Sequence, residues 1–170
     1  MARTIGDVRP VRATGGAPRE IDPGRSLLSG VLFGIGLAGF IDETIFHQLL
    51  HWHHFYDKST PAVGLVSDGL FHAVSWFCVV GGLFLLADLR RRAAYHNLRW
   101  WSGMCLGLGG FQFYDGTIQH KLMGLHQIRY HVTIWPYDLT WNVIALIALI
   151  IGVVLFVRSN RNDQPLAAAR

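Results

Sequence analysis

The chain has 170 residues, of which 51% are hydrophobic and only 15% charged, with a formal net charge of +4. That length suits one domain, and the apolar residues run in long blocks that a soluble helical domain, with charge spread over its outer faces, would not contain. The charge gathers in tails and loops, so the basic balance reports membrane topology and excludes the soluble basic face that grips nucleic acid.

The first 25 residues are polar and Arg-rich and hold three prolines, Pro10, Pro18 and Pro23. They read as a disordered cytoplasmic tail. A signal sequence is a poor fit, because the apolar run that follows is too long and no small-residue cleavage site closes it. A transmembrane domain is expected over 26–158, with spans of about 27–50, 65–87, 98–122 and 139–157. Each is near the ~20 residues that cross the hydrocarbon core. The first opens SLLSGVLFGIGLAGF and the second contains HAVSWFCVVGGLFLL. The third, carried by WWSGMCLGLGGFQF, is the least apolar; the fourth, NVIALIALIIGVVLFV, is the purest. Residues 159–170 read as a short second tail. The short gaps predict an all-α, up-down four-helix bundle with successive helices as antiparallel neighbours. Cys78 and Cys105 fall inside spans and read as small buried hydrophobes.

Orientation follows the basic residues. Arg3, Arg9, Arg12, Arg19 and Arg25 precede the first span, Arg90, Arg91, Arg92 and Arg99 separate the second and third, and Arg158, Arg161 and Arg170 follow the fourth. The other two connections carry only Lys58, Lys121 and Arg129. Both termini are therefore expected in the cytoplasm, with the chain in the inner (plasma) membrane.

The sequence repeats once. From Gly36 to His53 it reads GLAGFIDETIFHQLLHWH, and from Gly107 to His126 it reads GLGGFQFYDGTIQHKLMGLH. Aligned on the aspartate, Asp42, Thr44, Ile45, His47, Leu49 and His53 match Asp115, Thr117, Ile118, His120, Leu122 and His126. A fainter echo pairs Asp68 and His72 with Asp138 and Asn142. The unit is a helical hairpin present twice, its copies related by an axis along the membrane normal. The G-L-x-G-F segments are expected to let helices one and three pack closely.

Every helix thus brings an acid to the outer half of the bundle, where eight of the nine histidines also lie, His96 being the exception. An ionised Asp near mid-bilayer costs about 2.5–3.5 kcal/mol even on the lenient insertion scale, so these groups should face one another and not lipid. The candidate metal ligands are Asp42, Glu43, His47, His51, Asp68, His72, Asp115, His120, His126 and Asp138, with the roles of the loop residues His53, His54 and His131 left open. Glu43, His47 and His51 share one face of a regular helix. The His five residues after each Asp lies well round such a helix, so one Asp and its His need not hold the same ion. Asp42 and His53 stack three turns apart if the helix persists that far. Imidazole with carboxylate and no thiolate suits copper(II), iron or zinc, and the convergence is analogous to di-metal bundles without their E-x-x-H spacing.

With its D-x-T-I-x-H repeat, the run HQLLHWHH from His47 and the run DGLFHAVSW from Asp68, the chain resembles a bacterial family of small predicted four-helix membrane proteins, from the first span to the fourth. The resemblance implies the fold, a place beside copper-handling and oxidase-assembly proteins, and no catalytic residue. The expected function is a transition-metal site at the outer end of the bundle, for metal handling or metal-dependent oxidoreductase chemistry. The alternatives are a b-type haem held by paired histidines such as His47 and His120, a proton or cation path through the four aspartates, and an assembly role. Expected partners are the lipid bilayer and either a second copy or a respiratory or metal-handling membrane complex.

Overall fold

A computed structural model describes residues 20–167, with side-chain surroundings through residue 162. Most of the expected N-terminal tail lies outside these residues. Four α-helices form: α1 Pro23–Asp42, α2 Pro61–Arg91, α3 Asn97–Tyr114 and α4 Trp135–Ala167. Their starts are legible locally. The Asp22 carboxylate accepts from the Arg25 amide at 2.8 Å ahead of Pro23, and the Thr60 hydroxyl accepts from the Val63 amide ahead of Pro61. Both are N-cap residues followed by a proline whose missing N–H costs nothing there. The C-terminal stretch expected as a tail from 159 continues as helix to Ala167.

The segments Pro23–Leu49, Pro61–Arg91 and Trp135–Asn162 are long and apolar enough to cross a membrane; α3 falls short by that measure. Packing order explains the difference. Among the described residues α1 packs on α2 and α3, and α3 on α1 and α4, while α2 and α4 stand at the outside. The outer helices turn residues such as Leu70, Phe77, Phe84, Leu146, Ile150 and Val153 outward, as lipid requires. α3 is flanked by protein and tolerates polar and small residues. The antiparallel-neighbour expectation therefore holds for the two hairpins, whereas α2 and α3, though joined by a short turn, have α1 between their backbones.

The central seam is made of glycine. A Cβ on Gly30 or Gly34 would sit 2.1 Å from the carbonyl oxygen of Trp100 or Met104. Reciprocally, one on Gly103 or Gly107 would sit 2.2 Å or 2.3 Å from that of Leu27 or Val31. In the frame that aligns Asp42 with Asp115, Gly30 matches Gly103 and Gly34 matches Gly107. The two small-x-x-x-small faces thus meet across the pseudo-twofold axis, backbone on backbone. Of the G-L-x-G-F segments only Gly107 joins this contact. Gly36 and Gly109 pack instead against α2 and α4, because those segments align two residues out of the structural frame.

The repeat also reaches the far half of the bundle. Ser29 donates to the Gly82 carbonyl at 2.7 Å, and its equivalent Ser102 donates to the Gly152 carbonyl at 2.8 Å. Gly34→Ala is expected to cost at least the ~1–3 kcal/mol of ordinary overpacking, since the obstacle is backbone. Gly81→Ala, whose added carbon meets nothing within 4 Å, is expected to be neutral or stabilising by up to ~1 kcal/mol. Thermal unfolding of both variants in detergent, followed by circular dichroism, checks this; equal melting temperatures would refute the seam.

Candidate metal centre

At the end of the bundle away from both described termini, α1 and α3 each widen into a π-helix, Glu43–Leu49 and Asp115–Met123. Such turns are rare and recur at functional sites. Here the geometric effect is specific. Five residues is about 140° round an α-helix, whereas the wider i→i+5 turn brings residue i+5 back toward the side of residue i. Asp42 and His47 accordingly come to one side, as do Asp115 and His120, although a regular helix separates them. The same spacing lets Gln48 donate to the Glu43 carboxylate at 2.7 Å. Beyond each π turn the chain leaves the helix and folds back, which returns His53 and His126 over the helix ends.

The result is a cage of four imidazoles and two carboxylates, Asp42, His47 and His53 from one copy and Asp115, His120 and His126 from the other, none more than 6% exposed. The His53 and His126 rings stack with centroids 4.6 Å apart and planes 5° apart. His47 lies edge-on to His53 at 4.5 Å, and His120 edge-on to His126 at 4.6 Å. His120 Nε2 is 3.0 Å from His126 Nε2 and 3.1 Å from Asp115 Oδ2. In the other copy His47 Nε2 stands 3.8 Å from Asp42 Oδ2.

Second contacts orient these rings. His53 Nδ1 lies 3.0 Å from the Ile128 carbonyl and His126 Nδ1 lies 2.9 Å from the Phe55 carbonyl. Ile128 and Phe55 are repeat equivalents, so each loop histidine is held by the opposite copy. A carbonyl only accepts, which places the proton on both Nδ1 atoms and leaves both Nε2 lone pairs for the cage. His47 Nε2, His53 Nε2 and Asp42 Oδ1 are buried there without a hydrogen-bond partner. Leaving one such group unmade costs about 1–3 kcal/mol. Gathered in one small volume, such groups can together hold an ion. The groups Asp42–His47–His53 and His53–His120–His126 each bring their donor atoms within 4.8 Å of one another. The 3.0 Å between His120 and His126 is close to the separation of about 3.3 Å expected for two nitrogens on one tetrahedral zinc-like ion.

The copies differ around this core. His47 Nδ1 faces Glu43 Oε2 at 2.8 Å and Asp68 Oδ1 at 3.1 Å, and Asp68 Oδ2 lies 2.6 Å from Nδ1 of the half-buried His54. The Phe55 amide also donates to Asp68, at 2.7 Å. Glu43, His47 and Asp68 form a third close donor group. The second copy has Gly116 in place of Glu43, and its Asp138 pairs with Lys121 at 2.6 Å instead of with His120. Asp138, His51 and His72 therefore stand outside the cluster. His51 is exposed with φ 50° past the end of the π turn, and His72 is half-buried against the Phe40 ring. His131 is exposed. His53, left open by the spacing argument, sits at the centre. Its match to His126 in the repeat was the available signal; a continuous helix hid the fold-back.

His53 lies in the loop after the first π turn, outside the spans. Burial foremost, then the neighbouring imidazoles of His126, His47 and His120, holds its pKa down to about 2. The neutral ring is thus favoured in the folded state, and this contribution to stability is complete above the unfolded value of about 6.5 and lost as pH falls below it. Between pH 7 and 5 the melting temperature of metal-free protein should fall, by up to about 1.4 kcal/mol of stability per pH unit from this group. His53→Gln should give a shallower slope in the same melts; an unchanged slope would contradict the assignment.

Fold and site together define a helical membrane protein built on a duplicated hairpin, with a buried histidine–aspartate cage on its pseudo-twofold axis. The chain belongs to the family described as Predicted membrane protein (DUF2243), whose model matches residues 29–159. Comparison with curated proteins and with solved structures returned no match.

Proposed function

We propose that the cage holds a transition metal at the extracytoplasmic end of the bundle, for metal handling or a metal-dependent oxidoreductase reaction. The observation that carries this reading is the set of six repeat-equivalent buried donors, of which His47 Nε2, His53 Nε2 and Asp42 Oδ1 are without a partner and the Nδ1 atoms of two rings are fixed by carbonyls. That is the orienting arrangement metal-bound imidazoles require. Asp42, His47, His53, Asp115, His120 and His126 would be the ligands. Asp68 and Glu43 act on His47 through its other nitrogen and position it. Nitrogen and oxygen donors without thiolate favour copper(II), iron or zinc; such an ion supplies Lewis acidity or, for copper and iron, single-electron transfer. The excess of arginine beside the termini supports a cage on the far side of the inner membrane. Ring-on-ring packing of the imidazoles supports an ion over a haem, whose porphyrin needs a wide flat slot between its two histidines.

Elemental analysis and absorption spectra of detergent-purified protein test the reading. Wild type is expected to carry one or two metal ions per chain, and His47→Ala/His120→Ala to lose them. Asp68→Asn is expected to weaken metal affinity by about 10–100-fold, the usual range for an orienting partner. Protein that takes up no metal on titration would overturn the proposal, and a Soret band would replace it with haem.

A further inference from the structure

The pseudo-twofold symmetry fails most visibly beside the cage. On the side of the first hairpin, Phe71 of α2 fills the space next to Gly39 and stacks on Phe55 and Phe111 at 4.8 Å and 5.7 Å. On the other side the equivalent of Gly39 is Gln112 and the equivalent of Phe71 is Trp141. Gln112 Nε2 donates to the Trp141 carbonyl and the Trp141 indole donates to the Gln112 carbonyl, both at 3.0 Å. That pair holds the indole as a wall where Phe71 is a plug. A cleft of about 510 Å³ remains, walled by Phe46, Trp52, Phe111, Tyr137 and Trp141 and bordered by Asp42.

Three features select an occupant. The lining residues Ile41 and Ile144 are 46% and 48% exposed, and Ile144 lies on the outward apolar face of α4, which favours entry from lipid. The walls are flat and aromatic, and the volume is that of a small-molecule site. The polar group at the cage end is Asp42, 3% exposed, with Oδ1 unpartnered and the carboxylate shared with the His47 side of the cage. A carboxylate accepts hydrogen bonds and repels anionic heads. We infer that the cleft binds a lipid-soluble hydroquinone-type molecule: a flat ring that enters from the bilayer and donates a hydroxyl proton in a hydrogen bond to Asp42. The inference deepens the metal reading, because it brings that hydroxyl beside the proposed ion, but ring binding itself needs only the cleft.

The experiment is titration of detergent-purified protein with trimethylbenzohydroquinone, read by quenching of tryptophan fluorescence, with metal content measured on the same samples. Saturable binding of one molecule per chain is expected. Ala38→Phe on the wall and Ile144→Phe at the exposed mouth should each weaken it at least about tenfold with metal content unchanged. The dimethyl ether, which has no hydroxyl to donate, should bind at least about tenfold more weakly. Equal binding of the ether, indifference to both variants, or displacement by anionic phospholipid would overturn the assignment. Ring binding by protein that takes up no metal would retain the cleft and remove the metal reading. Full metal content without ring binding would do the reverse.

Discussion

The close approach of α1 to α3 is the constraint on which the rest of the molecule depends. Hydrocarbon supplies no hydrophobic drive between helices, so association in lipid rests on packing at short range. Gly30, Gly34, Gly103 and Gly107 bring the two backbones together where any side chain would collide. This contact sets the distance between the helix ends above it, and hence between the two π turns. A wider seam would leave two separate half-sites. At the observed spacing the stacked rings of His53 and His126 share one volume.

The π turns carry the second requirement. Each gives up regular α-helical bonding and in return presents an aspartate and a histidine five residues apart to the same point. Their recurrence at equivalent places in both copies ties them to the site. The surroundings show what the duplicated half was free to lose. Gly116 faces Trp141 where its counterpart is an acid beside His47, and Asp138 is engaged by Lys121. The six cage residues are shared by both copies, while the partners that orient His47 belong to the first alone.

Much of this was legible in the residues. The long apolar blocks gave the helices, and the spaced match from Asp42 to His53 and Asp115 to His126 gave the duplication and the convergence of imidazole with carboxylate. The local backbone was not legible, because periodicity arguments assume one helical period throughout. On that assumption Asp42 and His47 point apart and His51 continues the stripe of Glu43 and His47. The wider turn reverses the first relation, and the fold-back after Leu49 removes the second. His72 and Asp138 have the right depth but not the right neighbour, which is a matter of helix rotation and of Lys121. The order of helices was likewise hidden, because a short connection between α2 and α3 gives no hint that α1 lies between them.

The crossed anchoring of the two loop histidines has a consequence for biogenesis. His53 is oriented by the Ile128 carbonyl, which emerges from the ribosome long after it, and His126 is oriented by the Phe55 carbonyl of the earlier hairpin. Neither hairpin alone can set its loop histidine in the tautomer and direction the cage uses. During synthesis the first hairpin would enter the membrane with half of the donor set, its loop ring free to turn. The complete donor set appears only when the second hairpin closes on the first, so on the proposed metal reading the last step of folding and the first opportunity for tight ligation are the same event.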